Sequence, residues 1–346
     1  MKLIYSDAHR DHAGAKEMRY DQMIPMCESP ERMDMIMEAL AAAGFKDVVQ
    51  PAPHSLEVAH QIHSPAFVSF LEKAYPMWER EFGPGGFATA YTFGMRGMNQ
   101  VPNGSIHSML SCYTFDVCVP FVKGTWTAIR SAMDVALTGA SLMAKGEAAV
   151  FSLCRPPGHH ASGDLAGGYC YMNNAAIAAQ AHLNNGAGRV AILDIDYHHG
   201  NGTQTIFYGR KDVFFASLHC RPEEEYPFLL GYATERGEGE GQGYNLNLPM
   251  PRGTDYGVWS ASLLTAIDAI RALAPSVLIV SLGVDTYEGD PVGGFRLASQ
   301  DYLDIGRQIA GLELPTQFVM EGGYAMEALG TNVANVIRGF TRDGEI

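Results

Sequence analysis

A chain of 346 residues, 47% hydrophobic and 18% charged, has a globular composition and the length to bury one large α/β core or two small ones. Its formal charge of −14 disfavours a nucleic-acid partner and mildly favours cationic ligands. The N-terminal MKLIYSDAHR carries only a three-residue apolar run, and nowhere do eighteen apolar residues follow one another, so neither a secretion signal nor contact with a membrane is expected, and a cytoplasmic location is.

Taken in chain order, β-rich runs recur as KLIY from Lys2, DVVQ from Asp47, AAVFSL from Ala148, VAILD from Val190, VFFAS from Val213, YNLNL from Tyr244, VLIVSL from Val277 and TQFVM from Thr316. Several are continuously apolar, as strands buried on both faces are. Helical patterns alternate with them: ERMDMIMEALAAAG from Glu31, TWTAIRSAMDVALTGASLMA from Thr125, NNAAIAAQAHLNN from Asn173 and YGVWSASLLTAIDAIRALA from Tyr256. This alternation predicts an α/β fold with right-handed crossovers and a central, mostly parallel sheet flanked by helices. SPER at 29–32 offers Ser29 as a helix N-cap with Pro30 at the first helical position. No repeat, low-complexity tract or Pro/Gly linker divides the chain, so a single domain over 1–346 is expected. The exception to regular patterning is 83–122, rich in Gly, Asn, Met and aromatics; such loops in compact domains are usually lids or interfaces. The six cysteines, at 27, 112, 118, 154, 170 and 220, form no CxxC pair, which points away from a disulfide framework or a cysteine metal site.

In open α/β sheets ligands collect at the carboxyl ends of strands. Four runs end there in polar clusters: CRPPGHH, DIDYHHGNGT, GVDTYEGDP and EGGY. Side-chain alternation puts Asp194, Asp196 and His198 on one side of the extended segment and Ile195, Tyr197 and His199 on the other. Carboxylates and imidazole gathered behind a buried strand need a charge to neutralise them, whereas an ordinary solvated turn would not place them there. Asp196 and His198 form a natural ligand pair, and Asp194 is either a third ligand or a carboxylate that orients one. Asp285 would complete an Asp/His/Asp set with open positions, a catalytic centre for Zn²⁺ in the simplest case, Fe²⁺ or another divalent ion being compatible with so oxygen-rich a set. Glu288 and Asp290 are competing acids, and Asp290, followed by Pro291, reads as a turn former.

In CRPPGHH the prolines and Gly158 fix a non-helical path that presents His159 and His160 as a platform. Two adjacent imidazoles opposite such a cluster suit general acid and base, with Asp194 and Asn201 as hydrogen-bond partners, one anionic and one neutral, that would separate their pKa values. In EGGY two glycines let the backbone approach something closely and Tyr324 offers a hydroxyl donor.

RPPGHH, GGYCYMNN, DIDYHHGNGTQ, SLGVDT and MEGGY, in this order, resemble the histone deacetylase family of the arginase-deacetylase fold. Within it the chain looks like the bacterial acetylpolyamine amidohydrolases in KLIYSDAH, FSLCRPPGHH and the 83–122 segment. The resemblance implies an eight-stranded sheet and a metal-dependent deacetylase of small N-acetylated amines, with Asp196, His198 and Asp285 as zinc ligands. It implies His159 and His160 as the proton-transfer pair, oriented by Asp194 and Asn201, and Tyr324 as the donor that polarises the carbonyl. It implies structural K⁺ at Asp194, Asp196, His198, Ser217 and Leu218, and a second K⁺ near Phe207, Val213 and Tyr244. Tyr169, Tyr226 and Gly168 would line the acyl tunnel, and Glu17 would receive a distal ammonium. A gap-free count back from GTW puts His107 and Cys118 where glutamates are expected of polyamine-selective members, while Cys220 and Arg221 take the places of a rim Gly and Asp. The 83–122 loop is implied to form a homodimer that narrows the mouth. The rival within the same chemistry is an acetyl-lysine protein or peptide substrate. A binuclear, arginase-like centre lacks ligands at Gly200 and Tyr287, and an acetyl-binding pseudoenzyme would require the loss of a catalytic residue, none of which is missing.

Overall fold

The computed structural model describes residues 1–19, 21–95 and 100–341. Its strands are β1 (Lys2–Ile4), β2 (Lys16–Arg19), β3 (Gln22–Pro25), β4 (Val48–Val49), β5 (Ala149–Ser152), β6 (Val190–Asp194), β7 (Val213–Cys220), β8 (Asn245–Met250), β9 (Val277–Leu282) and β10 (Thr316–Met320). All eight predicted runs are strands of one sheet, in the order β4-β1-β5-β10-β9-β6-β7-β8, and every pairing in it is parallel. The helices are α1 (Glu31–Ala42), α2 (Glu57–Ile62), α3 (Pro65–Phe82), α4 (Ile106–Tyr113), α5 (Thr125–Ala144), α6 (Asn174–Asn184), α7 (Asn201–Phe207), α8 (Tyr256–Leu273), α9 (Asp301–Ala310) and α10 (Met326–Phe340).

The continuous apolar runs are explained by two cores, one on each side of the sheet. Along β6, Val190 and Ile192 pack with α3, α5 and α6, while Ala191 and Leu193 pack with α1, α8, α9 and α10. A strand with both faces covered has no position for a polar side chain until it leaves the sheet. The consequence for function lies in strand order: β5, β10, β9 and β6 are consecutive at the sheet centre, so the four polar clusters that follow them emerge side by side.

Three local expectations are revised. Ser29 gives its carbonyl rather than its hydroxyl to the first turn of α1, where Arg32 N donates to it at 3.2 Å, and Pro30 already has helical angles with no side-chain cap. The 83–122 segment is not irregular throughout: α4 forms within it behind the Ser105 hydroxyl, which accepts from Ser108 N at 3.3 Å. Reciprocal bonds between Ala88 and Phe121, both 2.8 Å, close the segment into a loop with joined ends. The antiparallel pair β2–β3 had no apolar alternation to announce it. Among the described residues no helix is long and apolar enough to cross a membrane.

Two histidines are built into this frame as neutral groups. His63 donates from Nδ1 to Ser162 O at 2.9 Å and accepts from Asn173 N on Nε2 at 2.9 Å. His219 accepts the Ser217 hydroxyl on Nδ1 at 2.7 Å and donates from Nε2 to Gly231 O at 2.9 Å. Burial pushes both down to about 4. The unfolded chain takes up these protons near pH 6.5, so their contribution is complete above that pH and lost as the pH falls through 4, by about 1–3 kcal/mol each. The change in urea midpoint from pH 7.5 to pH 5 should therefore be less unfavourable in His63→Gln than in the unsubstituted protein, a comparison in which the buried carboxyls that titrate the other way cancel; an equal change contradicts the assignment.

Candidate active site

The platform carrying the first histidine pair is held from below by Glu321 and from the side by Arg155. Gly158 N and His159 N donate to Glu321 Oε2 at 2.7 and 3.1 Å, and Ser281 Oγ donates to Oε1 at 3.3 Å. Burial raises this carboxyl to about 7. Arg155, 1% exposed, donates to His9 O, His12 O and Glu28 Oε1 at 2.6, 2.8 and 2.7 Å. Glu28 also accepts from Arg32 at 3.0 Å, and Arg32 in turn donates to Glu321 O and Gly323 O, both at 2.7 Å. One buried carboxylate thus ties the GHH turn to the EGGY turn through two guanidiniums.

His159 Nδ1 lies 3.1 Å from Asp194 Oδ2, and His160 Nδ1 lies 2.7 Å from Asn201 Oδ1 at the start of α7. The rings are 4.0 Å apart. Burial works against charging either ring, but the charges of Asp196 and Asp194 override it at His159 and raise that group to about 10. At His160 burial and the neighbouring charges of His159 and His198 act together and hold it well below the usual histidine value. The expected separation is present: carboxylate charge, that of Asp196 before that of Asp194, wins over burial at His159, while burial and two neighbouring imidazoles prevail at His160.

Asp196, His198 and Asp285 bring their ligand atoms within 4.8 Å of one another. His198 Nδ1 is 2.9 Å from Asp285 Oδ2 and 3.3 Å from Asp196 Oδ1. Gly322 N donates to Asp196 Oδ2 at 2.8 Å and Tyr197 N to Asp285 Oδ1 at 2.8 Å. These bonds fix both carboxylates so that lone pairs and Nδ1 converge, and this donor set fits a divalent ion. Burial, then the charge of Asp196, raises Asp285 to about 7. Burial opposes ionisation of Asp196 too, but the charges of His159 and His198 hold it far below the carboxylate range. Asp194 gives its oxygens to His159 and to Asp196 N at 3.2 Å, so it orients rather than joins the cluster. The close approach that EGGY anticipated is real: a Cβ on Gly322 would stand 2.6 Å from Asp196 Oδ2 and 2.7 Å from Asp285 Oδ2.

His159, His160, Asp196, His198 and Tyr324 line a cavity of about 440 Å³. Tyr324 is 8% exposed, and burial raises its phenol well above the ordinary value, so it remains a donor. The Arg32 guanidinium lies 4.7 Å from the centre of its ring. Asp290 forms the expected turn, accepting from Val292 N and Gly293 N at 3.0 and 3.2 Å, but its other oxygen accepts from Tyr324 N at 2.6 Å and Ala325 N at 3.0 Å. It therefore sets the backbone of the phenol. His199 lies away from the cluster, fully buried, its ring tilted against that of His219 with centroids 4.4 Å apart, as alternation requires.

Glu17, Gly168, Tyr169, Tyr226 and Cys118 line the cavity. His107 does not; its ring packs among Trp78, Phe82 and Tyr91 on α4, because the helix in the long loop turns it toward α3. Cys220 and Arg221 also leave the rim: Cys220 is 1% exposed inside the sheet, and Arg221 is exposed and pairs with Glu224. The rim cation is Arg252, paired with Glu225. Asp194 and Ser217 are register partners across β6 and β7; of the second set, Phe207 ends α7, Val213 opens β7, and Tyr244 O accepts from Phe215 N at 2.9 Å. Sequence reading missed Glu321, Arg32 and Glu28. Glu321 stood one residue past a buried strand, and Arg32 lies four residues before Ile36, on the buried face of α1; both were visible as charges in apolar registers.

Residues 26–340 match the model of the histone deacetylase domain. The chain is 51% identical to acetylpolyamine amidohydrolase 2 of Pseudomonas aeruginosa, over 98% of each chain. It is 46% identical to the acetylpolyamine amidohydrolase of Mycoplana ramosa, over 98% of this chain and 99% of that one. Among solved structures, the acetylpolyamine aminohydrolase of Burkholderia pseudomallei is similar with a TM-score of 0.93 and 36% identity, over 99% of this chain and 98% of that one. The HDA15 HD domain gives 0.83 and 25%, over 99% and 90%. The chain belongs to the histone deacetylase domain family, and its class is that of a hydrolytic enzyme.

A carboxylate in place of the Asn201 amide, as in Asn201→Asp, should raise the basicity of the His160 ring behind which it stands. The acidic limb of the kcat/KM profile should then move up by about one pH unit or more; an unshifted limb contradicts the pairing.

Proposed function

We propose that this protein is a metal-dependent deacetylase that hydrolyses small N-acetylated amines, acetylpolyamines foremost, to acetate and free amine. The observation that carries the reading is the convergence of Asp196, His198 and Asp285, the first two of which line the cavity together with His160 and Tyr324. These three residues would hold one divalent ion, Zn²⁺ in the simplest case or Fe²⁺, which when bound supplies Lewis acidity to a carbonyl and lowers the pKa of water. The protein supplies the proton traffic. His160 donates Nδ1–H to Asn201 and so leaves Nε2 bare to take a proton from attacking water and return it to the departing nitrogen. His159, paired with Asp194, keeps its proton and adds positive charge beside the reacting carbonyl. The Tyr324 phenol, placed by Asp290 and Arg32, donates to the oxygen on which negative charge develops.

The substrate class is supported by the names of the relatives reported above, which cover nearly the whole chain, and by the net charge of −14. An acetyl-lysine peptide is the second reading, and Arg252 at the mouth favours it, since a guanidinium disfavours a polycation; its pairing with Glu225 offsets that repulsion. We further propose K⁺ as a structural ion at Asp194 and Ser217, whose buried oxygens sit side by side, with a second near Phe207, Val213 and Tyr244. A homodimer through the 83–122 loop is supported by its exposed Tyr91, Phe93, Met95 and Val101. Buried thiols at Cys154, Cys170 and Cys220 suit the proposed cytoplasmic setting.

Two measurements check the reading. Comparison of kcat/KM on acetylputrescine, acetylspermidine and an acetyl-lysine peptide should favour the amines; a clear peptide preference transfers the function to the second reading. Tyr324→Phe should lower kcat by roughly two to three powers of ten, as loss of one oxyanion donor does, and near-normal turnover removes the phenol from the mechanism.

A further inference from the structure

Tyr169 and Tyr226, in the cavity wall, have their hydroxyls committed to carboxylates. Tyr169 donates to Glu17. Tyr226 donates to Asp116 Oδ2 at 2.6 Å, and the same oxygen accepts from Gly168 N at 2.8 Å. The other oxygen of Asp116 accepts from its own loop, at Cys118 N, 2.8 Å. That loop is zipped to the GGY segment by Phe115 N to Ala166 O at 3.0 Å and Tyr169 N to Cys118 O at 3.1 Å. The Phe115 ring lies nearly parallel to Tyr226 and against Gly167, where a Cβ would come within 2.2 Å of it. Tyr226 stands edge-on to His160, centroids 4.9 Å apart. Gly168 already touches both, since a Cβ there would lie 2.4 Å from His160 Cδ2 and 2.7 Å from the Tyr226 hydroxyl.

We infer that Asp116 is a positioning and specificity-determining residue: one carboxylate oxygen ties the Tyr226 wall, from the β7–β8 connection, to the Gly168–Tyr169 wall, so the channel cannot widen and admits an unbranched methylene chain beside the amide. The inference rests on the proposed reading that an acetylated amine reaches His160 along this channel. It has two consequences. The hydroxyls of Tyr169 and Tyr226 act on the protein rather than on the substrate, and a phenylalanine at 226 would leave the walls free to part. The long loop acts on the channel through this side chain as well as through Cys118, which lines the cavity.

The test is a double-mutant cycle of Asp116→Ala and Tyr226→Phe, read on N-acetyl-1,4-diaminobutane and on its analogue with a methyl group on the carbon next to the acetamido nitrogen. Each single variant should raise KM for the linear amine on the order of ten-fold, the loss expected of one charge-assisted hydrogen bond, with kcat within about three-fold. Each should also shrink the preference for the linear amine over the branched one, and the double variant should match a single variant. Additive losses, or an unchanged preference, overturn the inference. Asp116→Asn keeps the volume and one acceptor oxygen and should fall between wild type and Asp116→Ala, which serves if the alanine variant does not fold. Wild-type inactivity on both amines would refute the substrate reading instead. In that event thermal unfolding of the same four proteins still measures the Asp116–Tyr226 coupling, and its absence overturns the tether whatever the substrate is.

Discussion

Four carboxylates buried at the end of one parallel sheet set the terms for everything around them. Asp194, Asp196, Asp285 and Glu321 are each no more than 1% exposed, and an uncompensated buried carboxylate costs several kcal/mol. Compensation takes a different form at each. Asp194 is offset by the His159 ring, Glu321 by two backbone N–H groups and a raised pKa, and Asp196 and Asp285 by His198 and backbone donors. The last pair is left with lone pairs facing each other across His198 Nδ1. A divalent cation is the group that would complete this balance.

The need to hold those charges in place explains the surrounding architecture. Parallel strands covered on both faces deliver four loops to one point, but loops alone do not fix side chains to the tolerance that proton transfer requires. The fixing is done by charges without solvent access: Glu28 between Arg32 and Arg155, Glu321 beneath His159, Asp290 behind Tyr324. Glu321 and Asp290 hold backbone N–H groups, and Glu28 holds the two guanidiniums that grip backbone carbonyls. The N-terminal segment is tied to the frame of the site through them, since Arg155 grips the carbonyls of His9 and His12 and Arg32 grips those of Glu321 and Gly323.

Much of this was legible in the sequence for identifiable reasons. Continuous apolar runs mark doubly covered strands, so all eight sheet strands were found, and alternation past Asp194 separated His198 from His199. Strand ends marked Asp196, Asp285, His159 and Tyr324. Strand order was not readable from composition or periodicity, because nothing in a run such as TQFVM names its neighbour; the juxtaposition of the clusters had to come from the fold or from resemblance. Residues that act through backbone were hidden for a similar reason. Asp290 looked like a turn former and is one, but its second oxygen serves a loop thirty-four positions away. The gap-free register through 83–122 failed at His107, where α4 rotates the side chain out of the cavity, and the Arg221 reading failed because the rim cation comes instead from Arg252, after β8.

The central claim is that Asp196, His198 and Asp285 form a mononuclear metal centre, and metal content measures it most directly. Protein loaded with excess Zn²⁺ and then freed of unbound ion should retain one transition-metal ion per chain by elemental analysis, and Asp285→Ala should lose it. Two tightly held ions per chain, or full retention by the variant, would contradict the account.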